Sequence, residues 1–155
     1  MSRHPEEIIA ELGFTLPEAP PPAASYLPFA TTGDLVLTAG QIAVSGGKLI
    51  ATGRVGVEVD MEGAVACARQ CAINVIAQVK AAAGDLERVD RIVKLTVFVA
   101  SGPDFIEQHL VANGASELMA QVFGEAGRHA RSAVGVPRLP LDSPVEVEAI
   151  VRLKP

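Results

Sequence analysis

Two charged residues near the C-terminal end of the sequence could do chemistry. Arg131 opens a strand-like segment at 131–136, and Glu148 lies within an apolar segment at 145–151. A guanidinium can hold a carboxylate through two parallel hydrogen bonds, and a carboxylate in a partly apolar cleft can activate a water molecule. The alternatives are a surface arginine at a strand start, and a structural ion pair of Glu148 with Arg152 or with a neighbouring chain's Arg131.

The remaining residues with reactive side chains do not form a metal or redox site. Cys67 and Cys71 are four residues apart in an alanine-rich helical segment. At that spacing their Cβ atoms would be roughly 5–6 Å apart, too far for a disulfide, so we expect buried, reduced thiols. His4, His109 and His129 are isolated in sequence and are interpreted as surface or hydrogen-bonded histidines. The sequence therefore predicts no metal and no organic cofactor.

Composition limits the classes of protein that the chain can belong to. Its 155 residues, 49% hydrophobic and 20% charged, suffice for one domain with a real core. The net charge of −5 disfavours a general nucleic-acid binder, which would carry a basic stripe. We expect no membrane span, because no apolar run is long enough, and cytoplasmic residence, because the start does not resemble a signal peptide.

The order of elements predicts an α+β sandwich with one mixed sheet and two long helices on one face. Residues 1–24 are interpreted as a short N-terminal helix and a proline-rich strap, and residues 25–155 as a single domain. Within that domain the patterns predict two strands joined at Gly33, a looser turn near Gly46, a helix from Asp60 to about residue 83, and a strand at 89–100. A second helical region at 104–123 is expected to kink or split at Asn113-Gly114, and a pair of strands ends the chain.

Two helices cover only one face of such a sheet. The other face would carry Glu146, Glu148, Ile150 and Arg152 from the last strand, with Thr96 and Phe98 from the central one. A half-apolar face of this kind suits a subunit interface. We therefore expect a homo-oligomer; a monomer with an amphipathic, solvated face is the alternative.

Several segments together resemble the reactive-intermediate deaminase superfamily (RidA, also called YjgF or the L-PSP endoribonuclease family). They are residues 130–136 (ARSAVGV), 145–150 (VEVEAI), 37–42 (LTAGQI) and 93–99 (VKLTVFV). The resemblance implies a chorismate-mutase-like fold and a homotrimer with sheets facing inward and ligand clefts between subunits. It also implies a hydrolase that converts enamines or imines such as 2-aminoacrylate to 2-keto acids and ammonia. The N-terminal region resembles that of a longer subgroup.

The resemblance also assigns roles to individual residues. Arg131 matches the arginine that binds the substrate carboxylate, and Glu148 matches the glutamate that orients or activates water. Tyr26 and Asn113 match further binding residues, with a half-buried strand tyrosine and a helix-kink asparagine as the alternatives. Backbone groups near Gly40 and Ala133 could bind the same small carboxylate or imino-acid ligand.

Three small residues depart from the family pattern. Ala39, Ala133 and Gly135 stand where family deaminases usually carry polar side chains. The alternative function is therefore a non-catalytic trimer that binds small carboxylates as a regulatory module. An endoribonuclease is a weaker third hypothesis, because the chain is acidic and lacks a strip of basic and aromatic residues.

Overall fold

A computed structural model describes residues 3–19 and 25–155 of the chain. Within these residues three α-helices and eight strands follow one another in the order α1 (Pro5–Glu11), β1 (Phe29–Thr32), β2 (Leu35–Thr38), β3 (Gln41–Ile42), β4 (Val44–Ser45), β5 (Lys48–Leu49), α2 (Met61–Ala83), β6 (Val89–Ala100), α3 (Gln108–Phe123), β7 (Ala130–Val136) and β8 (Val145–Leu153). The α+β class with a mixed sheet is confirmed. Residues 20–24 of the proline-rich strap lie outside the described residues, and the division at residue 24 stays a prediction.

The main sheet has six strands in the order β1-β2-β8-β6-β7, and β3 also pairs with β8. β6 and β7 are parallel and joined by α3, whereas β8 runs antiparallel to both β2 and β6. The prediction of a pair formed by the two C-terminal strands is wrong, because β6 lies between them. The crossover through α3 places β7 beside β6, and residues 137–144 then carry the chain past β6 to its other side.

Helices α2 and α3 pack on one face of this sheet. On β8 the side chains that face them, Val145, Val147, Ala149 and Val151, are at most 3% exposed and belong to the same core cluster as the buried sides of both helices. The Asp60 side chain caps α2 by accepting a hydrogen bond from the Gly63 amide, and Gly84, with a φ of 80°, ends the helix. The two-helix layer predicted from the sequence is thus confirmed.

Helix α3 differs from its prediction in two ways. It begins at Gln108 rather than Asp104, and it runs through Asn113-Gly114 without a break. Gly114 lies at the contact with α2: a Cβ built on it would be 2.6 Å from the backbone oxygen of Val65. This glycine therefore permits close helix packing rather than a kink.

The short helix α1 is fastened to the domain at two points. Glu6 pairs with Lys80 of α2 at 2.6 Å, and His4 meets Asp85 at 3.2 Å. Ile9 is 1% exposed and belongs to the hydrophobic core. The N-terminal helix is consequently part of the packed structure.

Both cysteines are buried and free, as predicted. Burial raises the pKa of Cys67 to about 11 and raises the pKa of Cys71 as well. Within residues 3–19 and 25–155, no helix has both the length and the apolar character needed to cross a membrane.

Candidate active site

Arg131 lies on the edge strand β7 and points towards α3. It sits beside Leu95 of β6, which faces the helices. Its Nη1 donates to Asn113 Oδ1 at 2.9 Å and to Ser116 Oγ at 3.1 Å, and its Nη2 donates to the backbone oxygen of His109 at 3.1 Å. The helix therefore holds the guanidinium at three points, and Asn113 is one of its partners rather than a kink residue.

Glu148 lies on the open face of the sheet, which is the face that α2 and α3 do not cover. It sits beside Thr96, which in turn sits beside Ser132 of β7. A shallow cleft of about 210 Å³ runs along this face, and its lining includes Glu148, Thr96, Lys94 and Ile150. A larger cleft, of about 350 Å³, lies between α1 and the end of α3 and is lined by none of these residues, so we do not place the site there.

The ion pair considered for Glu148 is not formed within the chain. Arg152, the intrachain candidate, pairs with Asp90 at 2.5 Å instead. Among the described residues, no ion pair includes Glu148 or Arg131. Both charges therefore remain available to a ligand or to another subunit.

One chain does not bring Arg131 and Glu148 together. Residues that pair across neighbouring strands point to the same side of a sheet. Leu95 sits beside Arg131 on the helix side, whereas Thr96 sits beside Glu148 on the open side. The two charges consequently occupy opposite faces of one sheet, and a cleft that contains both requires a second subunit. The cleft shared between subunits stays a prediction.

Of the backbone positions named from the sequence, only one lies near Arg131. Ala133 follows it on the same face of β7, packs against the core, and belongs to a strand at the sheet's edge. Gly40 lies instead beside the open face, where a Cβ would be 2.1 Å from the Glu146 carboxylate. The absence of a side chain at Gly40 accommodates Glu146.

Tyr26 is not the strand residue that the pattern predicts. Strand β1 begins at Phe29, and Tyr26 lies in the preceding bend with 57% of its surface exposed. The interpretation as a half-buried strand tyrosine is therefore wrong. Within one chain it forms no wall of the Glu148 cleft.

Glu146 is a site residue that sequence reasoning did not select. It lies two residues before Glu148 on the same half-apolar face of β8, and it is itself half-buried. Burial raises the pKa of its carboxyl, and the neighbouring Glu148 carboxylate raises that pKa further. The period-two pattern of 145–151 was a signal that could have identified it.

We expect Glu146→Gln to raise the free energy of unfolding at pH 7.5. A carboxyl whose pKa is higher in the folded than in the unfolded state destabilises the fold increasingly as pH rises above the unfolded value. The glutamine variant removes this penalty, so its advantage should grow between pH 4.5 and pH 7.5. Urea unfolding at both pH values measures this, with the exposed Glu117→Gln as the matched control. A variant less stable than the wild type at pH 7.5 would show instead that the charge is favourably paired.

One cluster of possible metal ligands is present among the described residues: His4, Asp85 and Glu87. The two histidine nitrogens already have partners, since Nδ1 accepts from the Glu6 amide and Nε2 meets Asp85. The backbone amide of Glu87 also donates to Asp85 and lowers the pKa of that carboxyl. These contacts attach α1 to the domain and supply no argument for a metal site.

The arrangement of a mixed sheet, two covering helices and an open, half-apolar face is that of the chorismate-mutase-like α+β proteins. A family model described as "YjgF/chorismate_mutase-like, putative endoribonuclease" matches residues 6–153. The chain therefore belongs to the YjgF family.

Three relatives show how far the similarity extends. Protein TCP17 of Trypanosoma cruzi is 47% identical over 146 residues, which cover 94% of this chain and 91% of the relative. The crystal structure of Atu1372 from Agrobacterium tumefaciens, a protein of unknown function, is 51% identical with a TM-score of 0.92 and covers 97% of this chain and 92% of its own. The crystal structure of TdcF from E. coli with bound serine is 30% identical with a TM-score of 0.62, covering 88% and 94% respectively.

Proposed function

We propose that the protein hydrolyses enamine or imine acids of the 2-aminoacrylate type to 2-keto acids and ammonia, without a cofactor. The observation that carries this proposal is the Arg131 guanidinium, held by α3 on three oxygen atoms and free of ion pairs among the described residues. Such a group is suited to bind the carboxylate of an imino acid in a fixed orientation. The serine bound to TdcF is a small amino acid of the same size class.

In this proposal Arg131 and Glu148 act on opposite ends of the substrate. Arg131 binds the carboxylate, and a second subunit's Glu148 accepts a proton from a water molecule that adds to the imine carbon. Glu148 returns that proton to the former imine nitrogen, which gives the carbinolamine. The carbinolamine's hydroxyl proton then passes to the same nitrogen as the carbon–nitrogen bond breaks, so that ammonia leaves and the 2-keto acid forms. A homotrimer with inward-facing sheets would place Arg131 of one subunit and Glu148 of another in one cleft, although the two residues lie on opposite faces of the sheet within a subunit.

A specific observation favours a second candidate, a non-catalytic module that binds small carboxylates. A Cβ at Gly135 would be 2.8 Å from Gln108 Nε2 and 2.9 Å from Ser101 Oγ. The space for a larger side chain at that position is therefore filled by Gln108. Under this candidate Arg131 still binds a carboxylate, while the small residues Ala39, Ala133 and Gly135 supply no polar side chain that could steer water.

One experiment separates the two candidates. An amino-acid oxidase generates the imine in situ, and keto-acid release and semicarbazone trapping are followed for the wild type, Glu148→Gln and Arg131→Ala. A deaminase should release keto acid faster than Arg131→Ala by at least about 10-fold, and Glu148→Gln should lose turnover but keep keto-acid binding. Equal rates for the wild type and Arg131→Ala would refute the deaminase. If the wild type then still bound a 2-keto acid, as measured by calorimetry, the second candidate would be supported.

A further inference from the structure

A chain of hydrogen bonds connects the backbone of Gly127 to the Arg131 guanidinium. His129 Nδ1 lies 2.6 Å from the Gly127 oxygen, and His129 Nε2 lies 2.8 Å from Ser116 Oγ. Ser116 Oγ in turn lies 3.1 Å from Arg131 Nη1. Ser116 is half-buried on α3, and His129 is half-buried just before β7.

The chemistry of these groups fixes the direction of every bond in the chain. A carbonyl oxygen only accepts, so His129 Nδ1 carries a proton, and in the neutral imidazole Nε2 then presents a lone pair. The Ser116 hydroxyl must then donate to Nε2, which leaves its oxygen lone pairs to accept from Arg131. Burial and the nearby Arg131 charge lower the pKa of His129, while the Gly127 carbonyl opposes this. A lowered pKa favours the neutral imidazole, which is the form that can accept from Ser116.

These hydrogen bonds determine which Arg131 protons remain for a ligand. A guanidinium has five N–H groups. Both Nη1 protons go to Asn113 and Ser116, and one Nη2 proton goes to the His109 oxygen. Among the described residues, no partner takes the Nε proton or the second Nη2 proton. Nε and Nη2 form one edge of the guanidinium, and such an edge can bind a carboxylate through two parallel bonds.

We propose that Ser116 and His129 are positioning residues, which hold the Arg131 guanidinium so that the His109 oxygen takes the Nη2 proton on the Nη1 side and the Nε–Nη2 edge is presented to the carboxylate of the ligand. This rests on the proposed function, since the carboxylate is that of the imino or keto acid. Ser116 lies three residues after Asn113 and therefore on the same side of α3. Asn113 and Ser116 together accept both Nη1 protons, and His129 keeps the Ser116 hydroxyl from rotating away from Arg131.

A serine within hydrogen-bond distance of a histidine can also be a nucleophile with its base. Here, however, the serine oxygen accepts from Arg131 and lies half-buried between a helix and a strand. The same contacts that would activate a nucleophile hold this hydroxyl against the guanidinium. Covalent labelling of Ser116 by a fluorophosphonate would therefore overturn the positioning role.

Binding of 2-ketobutyrate tests the proposal in the full chain. Ser116→Ala and His129→Phe should each weaken binding by about 5- to 10-fold, the equivalent of one lost hydrogen bond of average strength. Ser116→Thr should restore binding to within about 2-fold. Because both residues act through the same series of hydrogen bonds, the double variant should bind 2-ketobutyrate no more weakly than either single variant. The matched control is Ser45→Ala in the exposed β4–β5 hairpin, which should bind as the wild type does.

A second measurement separates failure of this proposal from failure of the proposed function. Nitrogen-15 NMR should show slowly exchanging Nη1 protons for Arg131 in the ligand-free wild type, lost in Ser116→Ala and in His129→Phe. A wild type that binds no 2-ketobutyrate refutes the proposed function, and the NMR result then decides whether the positioning is supported or overturned. If Arg131→Ala abolishes binding while Ser116→Ala and His129→Phe bind like the wild type, the positioning role is overturned and the function stands.

Discussion

Replacing Gly114 by alanine should lower the free energy of unfolding by about 1–3 kcal/mol, the usual cost of forcing an extra group into a packed core. A Cβ at this position would be 2.6 Å from the backbone oxygen of Val65 and 3.2 Å from the Cβ of Ala68. A backbone atom of a well-packed helix cannot move aside as a flexible side chain can. The two helices would have to separate, and α3 would shift relative to the sheet with Asn113 and Ser116 on it.

The sign of this effect is informative, because helix propensity acts in the opposite direction. Alanine in place of glycine in a helix interior is favourable by about 1 kcal/mol. Ala120→Gly, on the exposed side of the same helix, is the matched control and should cost about that amount. Urea unfolding of both variants at one protein concentration measures the difference. An increase in stability for Gly114→Ala would show that α2 and α3 have room to spare at this crossing.

Elements with a strong local pattern could be predicted from the sequence. Helix α2 has its cap at Asp60, its stop at Gly84 and a continuous apolar side, and each feature is present in the structure. The alternation of β8 predicted its buried and open faces correctly, with Val147 buried and Glu148 half-buried. In both cases neighbouring residues along the chain carry all the information required.

Features that depend on distant contacts could not be predicted in this way. Alternation assigns faces within one strand, but it does not say which face of β7 matches which face of β8. The opposite placement of Arg131 and Glu148 follows only from their separate pairing with β6. Likewise, the sequence around Gly114 is typical of a helix break. The absence of a side chain there instead makes room for the backbone of Val65 on α2, which is distant in sequence.

The candidate site shows the same division. Arg131 and Asn113 were named from the resemblance, and the structure brings them to 2.9 Å. Ser116 and His129 are 13 residues apart and have no motif in common, so only the return of the chain from α3 to β7 makes them neighbours. The sequence leaves His129 as either a surface or a hydrogen-bonded histidine, and the structure shows the second. Its connection to Arg131 through Ser116 depends on the fold.

Arg131→Lys should weaken binding of a 2-keto acid by about 10- to 100-fold, nearly as much as Arg131→Ala, because hydrogen bonds to charged groups contribute about 1.5–3 kcal/mol. Lysine keeps the positive charge, but its ammonium presents three donors at one point rather than along a plane. It cannot contact Asn113, Ser116 and the His109 oxygen together and still offer a two-proton edge to a ligand. The loss would therefore come from geometry rather than from charge.

Isothermal titration of 2-ketobutyrate at low and at moderate salt distinguishes geometry from charge, because screening weakens long-range attraction much more than a paired, two-bond contact. Arg128→Lys is the matched control, since Arg128 is exposed, lies three residues from Arg131 and pairs with Glu125 at 3.5 Å. The affinity of this variant should equal that of the wild type. If Arg131→Lys bound within about 3-fold of the wild type, a point charge would suffice. The three contacts to α3 would then orient the arginine without contributing to recognition, and a carboxylate held by a planar edge would no longer describe this site.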